Sequence, residues 1–428
     1  MFARSGLSLD QAPPIKVVFR FFLTGALWGV VGGILFWIWG DSPLDIHSPQ
    51  ALALTHIFTL GIMLSFMIGA LFQMLPVLAG ISLVEPVKLS TRSHWLTLVG
   101  TILLIVSFFH PETEISLLSA LILFSAILPA SNRMFRRLVD LDGHSDSSRG
   151  MTLAVFGLIL TVSLGVVLLS MRGGIVDSGT YIPIRDAHIG FGIFGWISLL
   201  VISVSLQVVE MFYVAPSYPN SVSRYLVPSI ICILLISFLS IWFSDTLHRV
   251  LFVPVYLLVA LYAIVTIRNL YHRKRPLFEA TVLFWYLSMF SSIVSMVIFF
   301  VGSFVDLPDM VQKAGYILFF SFGSGVVMAM SYKIVPFLVW FHLNNDGYLD
   351  APMMHEVVKP SYALFQAKIH IASLVLAFVW LLFPHTAPLF SLALVISFGW
   401  LAFAIYRAWR IYAYTLENGK RFDFGSFS

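Results

Sequence analysis

Charge interrupts this chain so rarely that its fold has few options. Stretches such as Gly25 to Trp39, Leu96 to Phe109, Met151 to Met171 and Ala280 to Phe304 contain no Asp, Glu, Lys or Arg. Charged residues make up 11% of the 428 positions and hydrophobic ones 59%, whereas a soluble domain carries about 25% charged residues. The longer runs meet the roughly 20 residues that an α-helix needs to cross a bilayer core. Unpaired backbone groups cannot face lipid, and the runs lack the period-2 alternation of barrel strands, so each must be a helix. The chain therefore reads as an all-α integral membrane protein, with the lipid bilayer as its first partner.

About twelve spans are predicted, over 16–39, 49–80, 93–110, 114–137, 149–171, 184–213, 224–243, 247–270, 277–304, 309–341, 362–383 and 386–414. An even number returns both ends to one side. If that side is the cytoplasm, only Arg172, Arg185, Arg249 and Lys313 among the 25 Lys and Arg fall on the other, which is a strong positive-inside bias. The N- and C-termini are thus expected in the cytoplasm. The same bias accounts for the net charge of +4 and gives no reason to expect nucleic acid as a partner. The single cysteine, Cys232, excludes an internal disulfide and any multi-cysteine metal site. No linker rich in Gly, Ser or Pro divides the chain, so 1–428 is expected to form one polytopic domain.

Within that domain three long apolar segments share a pattern. The first opens His56-Ile57-Phe58-Thr59-Leu60-Gly61 and closes Gln73-Met74-Leu75-Pro76; the second runs from Ala187-His188-Ile189-Gly190 to Gln207-Val208-Val209-Glu210; the third runs from Gly315-Tyr316-Ile317 to Lys333-Ile334-Val335-Pro336. Setting Gln73, Gln207 and Lys333 level also sets Pro76, Glu210 and Pro336 level. Repeats at this spacing, around 16–137, 149–270 and 277–414, suggest a body with pseudo-threefold symmetry and polar side chains recurring at one depth.

Ionisable groups within a span are expensive and tend to mark function. His56 and His188 both lie a turn or two inside the same membrane face, at the start of helices that run the same way, so their rings could meet. At 100° per residue, Met63, Met67 and Met74 stay within about 20° of His56 on its helix, while Gly192, Gly195 and Glu210 fall near the face of His188. Imidazole above a wall of Met and Gly suits a buried haem; equally, each ring could bond a neighbouring carbonyl while the glycines only permit close packing. Tyr316 takes the position of His56 in the third repeat and offers a hydrogen bond more readily than a ligand. Toward the opposite face the repeats deliver Gln73, Gln207, Glu210 and Lys333, joined by His342 and His370. A Glu210–Lys333 pair across the bundle would neutralise both charges, and such a ring could be a proton relay, an anchor for a cofactor's carboxylates or a structural knot.

Twelve spans with both ends on one side, repeats at the second, sixth and tenth helices, and histidines near the outer ends of the second and sixth resemble the catalytic subunit I of haem-copper oxidases. The chain is similar above all to divergent subunit I-like membrane proteins and more loosely to the NnrS haem-copper proteins. The resemblance implies a bacterial inner-membrane location, with respiratory-chain or cytochrome subunits as partners. It carries a low-spin haem ligand over to His56 and a copper ligand over to His188; Met63, Met67 and Tyr316 join the expected cofactor site from their own positions on the helices and in the repeat. It implies haem, of b type, with copper as the alternative occupant. The departures are large. That family needs an adjacent His-His pair on the seventh helix and a His-x-His on the tenth, and neither Val227 to Phe243 nor Lys313 to Phe341 contains a histidine pair of either kind. The site that reduces oxygen cannot be assembled in the usual way, so a complete terminal oxidase is not expected. Electron transfer, gas response or support of a respiratory enzyme remain open as roles, beside a transporter or channel that kept the scaffold without the cofactor, and a scaffold subunit that binds only other membrane proteins.

Overall fold

The computed structural model describes residues 13–41 and 45–421. Among them are twelve helices long and apolar enough to cross a membrane: α1 (Ile15–Trp39), α2 (Pro49–Val77), α3 (Pro86–Phe109), α4 (Thr113–Val139), α5 (Asp146–Arg172), α6 (Ser178–Tyr213), α7 (Asn220–Ser240), α8 (Thr246–Tyr271), α9 (Ala280–Gly302), α10 (Asp309–Asn345), α11 (Pro360–Leu382) and α12 (Pro384–Asn418). Among the described residues no strand forms, and the sole bridge joins Tyr348 to Arg421. The bundle is thus the all-α membrane protein that the apolar runs require.

Local chemistry sets the helix ends. Ser48 caps α2 by accepting from the Ala51 amide at 3.2 Å, with Pro49 in the first turn, where its missing N–H is no loss. Ser145 caps α5 in the same way from the Ser148 amide, at 3.0 Å. Gly80 ends α2 at φ 64°, a left-handed conformation that glycine adopts without steric penalty. α3 starts at Pro86, a turn or two before hydropathy alone suggests, because Lys88 and Arg92 occupy its first turns while the backbone is already helical.

Chain neighbours pack against each other through most of the bundle, and α1 lies along α12, which brings the first and last spans together. α2, α6 and α10 lie deepest, with 61%, 78% and 78% of their most apolar windows buried, against 33–50% for the other nine. Side chains join all three along the centre: Phe58 on α2 meets Phe320 on α10 with ring centroids 4.4 Å apart, and Phe194 on α6 meets Phe319 at 6.3 Å. Small residues bring the helices this close. A Cβ placed on Gly157 of α5 would lie 2.1 Å from the Gly195 carbonyl oxygen of α6, and one on Gly325 of α10 would lie 2.2 Å from Ser288 Oγ of α9.

The two central helices that carry histidines are not regular. α2 is α-helical over Pro49–His56, π-helical over Ile57–Leu64 and α-helical again from Ser65. α6 repeats the sequence of states, with its π-helix over Phe191–Ser198. The shift of 134 positions that sets Gln73 on Gln207 also sets one π segment on the other. α10 is α-helical throughout. Such wide turns are rare and are frequently found at functional sites.

Candidate functional site

His56 closes the last α-helical turn before the π segment of α2, and His188 stands three residues before that of α6. Their rings lie close together, nearly parallel at 19°, with centroids 6.3 Å apart. Each is anchored through Nδ1. His56 Nδ1 lies 2.8 Å from the Leu52 carbonyl oxygen one turn back on its own helix, and His188 Nδ1 lies 2.9 Å from the Thr161 carbonyl oxygen on α5. A carbonyl oxygen can only accept, so the proton of each neutral ring sits on Nδ1 and the lone pair on Nε2. No described residue bonds either Nε2.

Thr161 can reach His188 because α5 and α6 touch backbone to backbone at Gly157 and Gly195, and because Gly192 leaves room beside the Thr161 side chain. Gly165, one turn further along α5, sits directly under the His188 ring: a Cβ there would lie 3.1 Å from Cε1. These glycines therefore permit close packing, which is how they help to set the imidazole. On the other side the Phe108 ring packs against His56 at 5.0 Å.

The 100° reckoning behind the methionine wall does not hold through the π segment. Met63 lies within the π segment, which winds more slowly than an α-helix and turns the side chains beyond it to another azimuth. Met63 is fully buried, and its Sδ would sit 3.2 Å from a Cβ on Gly323 of α10. Met67 is buried. Tyr316 is 41% exposed and packs on Phe299, 5.4 Å away.

The ring of six polar residues does not close. Among the described residues no hydrogen bond or ion pair joins any two of Gln73, Gln207, Glu210, Lys333, His342 and His370. Glu210 is exposed and accepts from Ser217 Oγ at 2.8 Å. Lys333 pairs instead with Glu279 at the start of α9, and its ammonium lies over the Tyr213 ring at 5.0 Å. The expected Glu210–Lys333 pair is thus corrected: α9 packs along α10 and brings the Glu279 carboxylate at its start to the lysine, while Glu210 is exposed and bonded to Ser217. His370 is also displaced from the ring, since it lies beside Ser321 and Phe284 deep in the bundle, twelve positions along α10 from Lys333. Gln73 is buried with neither amide atom bonded. Glu279, Tyr213 and the Thr161 carbonyl were not legible as site groups. Glu279 is a lone acid at a helix start, and a carbonyl contributes no residue type to read.

Among the described residues no group of three or more His, Cys, Asp or Glu is placed to share a metal ion. No family model matches the chain, and no curated protein does.

Proposed function

We propose that this twelve-helix membrane protein holds a metal cofactor between His56 and His188, namely a haem that the two imidazoles would hold. The single observation behind the reading is the paired geometry of the rings: 6.3 Å between centroids, with each Nδ1 bonded to a carbonyl and each Nε2 left with its lone pair. Two metal–nitrogen bonds of about 2 Å, plus roughly 1 Å from each nitrogen to its ring centre, span about 6 Å. Metal-bound histidines commonly donate their other N–H to a carbonyl, which fixes the tautomer and raises the basicity of the ligating nitrogen. Two imidazoles without a third protein ligand suit haem iron, whose remaining positions the macrocycle fills; structural zinc takes four protein ligands.

A haem held by His56 and His188 would supply one-electron transfer. Electron transfer is accordingly the role we assign, ahead of gas binding or oxygen reduction. Around it the chain supplies orientation. The Leu52 and Thr161 carbonyls hold the two rings nearly parallel, and Phe108 closes the side of His56.

The wider architecture is read as pseudo-threefold and subunit I-like, supported by the burial of α2, α6 and α10 and by the recurrence of the π segment at the repeat spacing. The distribution of basic residues supports a reading with both termini in the cytoplasm, and a respiratory electron donor or acceptor is the partner that reading expects.

The test is an absorbance spectrum and metal analysis of protein purified from haem-replete cells. One haem per chain with a Soret band is expected, lost in both His56→Ala and His188→Ala. Stoichiometric copper without a Soret band would select two-coordinate Cu(I), which two imidazoles also satisfy. A colourless, metal-free protein ends the proposal.

A further inference from the structure

α8 and α9 pack side by side, and between them runs a groove of about 580 Å³, within the roughly 300–1,000 Å³ of small-molecule sites. Ile264, Ile267, Arg268 and Tyr271 line it from α8, and Tyr286 and Phe290 from α9. These positions follow steps of three and four residues, so each helix turns one face to the groove. Ile264, Tyr271 and Phe290 are exposed. The groove therefore opens away from the bundle, toward surrounding lipid. It lies far from the histidine pair: the segment after α8 is tied by the Lys274 amide to the Val214 carbonyl at 3.0 Å, just past the end of α6, whereas His188 stands near the start of that helix.

The lining changes character along the helix axis. Ile264, Ile267 and Phe290 make apolar walls. Arg268 stands in the last turn of α8, and His272, directly after that helix, also lines the groove. Tyr271 and Tyr286 carry the amphipathic rings that gather at a membrane–water interface. No acid contributes to the lining. Arg268 is exposed, and among the described residues its guanidinium joins no ion pair or hydrogen bond. His272 Nδ1 lies 2.9 Å from the Arg268 carbonyl, which anchors the ring beside Arg268 and leaves Nε2 as its free nitrogen.

The neighbouring basic residues have a different role. Arg273 donates from Nε and both terminal nitrogens to the carbonyls of Arg275, Leu270 and Leu277, at 3.0, 3.1 and 2.9 Å. Its hydrogen bonds are spent on folding the segment after α8 back on the helix end, and Lys274 and Arg275 add positive charge there. An arginine beside lipid ordinarily extends to whichever headgroup is near. Here it stands over a concave apolar groove between two helices, with an imidazole beside it. Basic pockets of this kind take the headgroups of anionic lipids.

We propose that the α8–α9 groove binds one phospholipid with an anionic headgroup, its phosphate on Arg268 and His272 and an acyl chain along Ile264, Ile267 and Phe290. The guanidinium can hold two phosphate oxygens at once, and the imidazole, when protonated, donates to a third from Nε2. Burial of chain methylenes supplies affinity. Lys274 and Arg275 favour a headgroup of net negative charge over a zwitterionic one. The site does not depend on the cofactor proposed at His56 and His188.

Native mass spectrometry of the full-length protein in detergent, with equal amounts of phosphatidylglycerol and phosphatidylcholine added, tests this. One phosphatidylglycerol per chain should be retained in preference to phosphatidylcholine. Arg268→Gln should lower that preference about fivefold, the effect of one basic residue near an anionic lipid. Ile264→Trp fills the groove at unchanged charge and should release the retained lipid. Both side chains are exposed, so neither change disturbs the core. Arg137→Gln, exposed at the end of α4, should leave the preference intact, and excess inorganic phosphate should not displace the lipid. Equal retention of the two lipids overturns the proposal, as does a preference that survives Arg268→Gln or falls as far in Arg137→Gln. Full retention by Ile264→Trp, or displacement by phosphate alone, rules out the groove as the seat of the acyl chain.

Discussion

His188 Nδ1 lies 2.9 Å from the carbonyl oxygen of Thr161 on the neighbouring helix. This bond makes the orientation of one imidazole depend on how closely α5 and α6 approach, and so on the glycines where their backbones touch. His56 is anchored within its own helix, to Leu52, so its hydrogen bond does not depend on the α5–α6 contact.

Gly157→Ala should therefore act on His188 and spare His56. The added Cβ would meet the Gly195 carbonyl at 2.1 Å, backbone that cannot move aside, and overpacking of this kind costs about 1–3 kcal/mol. A lower melting temperature in detergent is expected and, under the proposed haem reading, a weakened or shifted Soret band. A Gly157→Ala variant as stable as the wild type would show that the α5–α6 contact is looser than described.

Lys333 should depend on Glu279 and not on Glu210. Removing one partner of a poorly solvated pair strands the other charge, so Glu279→Gln is expected to destabilise by roughly 2 kcal/mol, with Glu279→Gln/Lys333→Met recovering part of the loss. Glu210→Gln should stay within about 0.5 kcal/mol of the wild type. Denaturant titration of the four proteins decides between these partners, and a large effect at Glu210 would restore the pairing across α6 and α10.

Tyr332→Phe should be disproportionately harmful for the loss of one oxygen. The Tyr332 hydroxyl donates to Gln366 Oε1 at 2.5 Å, and Gln366 Nε2 donates to the Ser397 carbonyl at 2.9 Å, so the bonds link α10, α11 and α12. Stranding the buried amide oxygen costs about 1–3 kcal/mol. A thermal melt of this variant that overlays the wild type would argue that water or a shifted Gln366 replaces the hydroxyl.

Tyr218, in the connection between α6 and α7, should contribute to alkaline unfolding. Burial pushes its hydroxyl up from 10.0 to about 12, and the hydroxyl lies 2.9 Å from Thr266 Oγ1. Its folded value is raised, so its contribution is complete below about pH 10 and declines as pH rises from there through about 12. Between those limits the stability gap separating wild type from Tyr218→Phe should narrow or reverse; a gap that is flat with pH contradicts the assignment.

The spans were legible because hydropathy over a helix length is a property of the chain alone: a run that cannot satisfy its backbone in lipid except as a helix must be one. The apposition of His56 and His188 was legible for a related reason, since the same pattern at the head of two helices put both rings at one depth. The Met63 face was not, because reckoning by 100° per residue fails once eight residues adopt a wider turn. Nor was the partner of Lys333. Several carboxylates are compatible with its depth, and only the packing of α9 along α10 selects Glu279.

Composition and periodicity thus determined that the protein is a membrane bundle of twelve helices, and which residues stand near which end of each. The tertiary structure alone decided which side chains meet. Depth along a helix follows from counting residues from its end, whereas azimuth and neighbour depend on helix winding and on contacts between segments far apart in the chain.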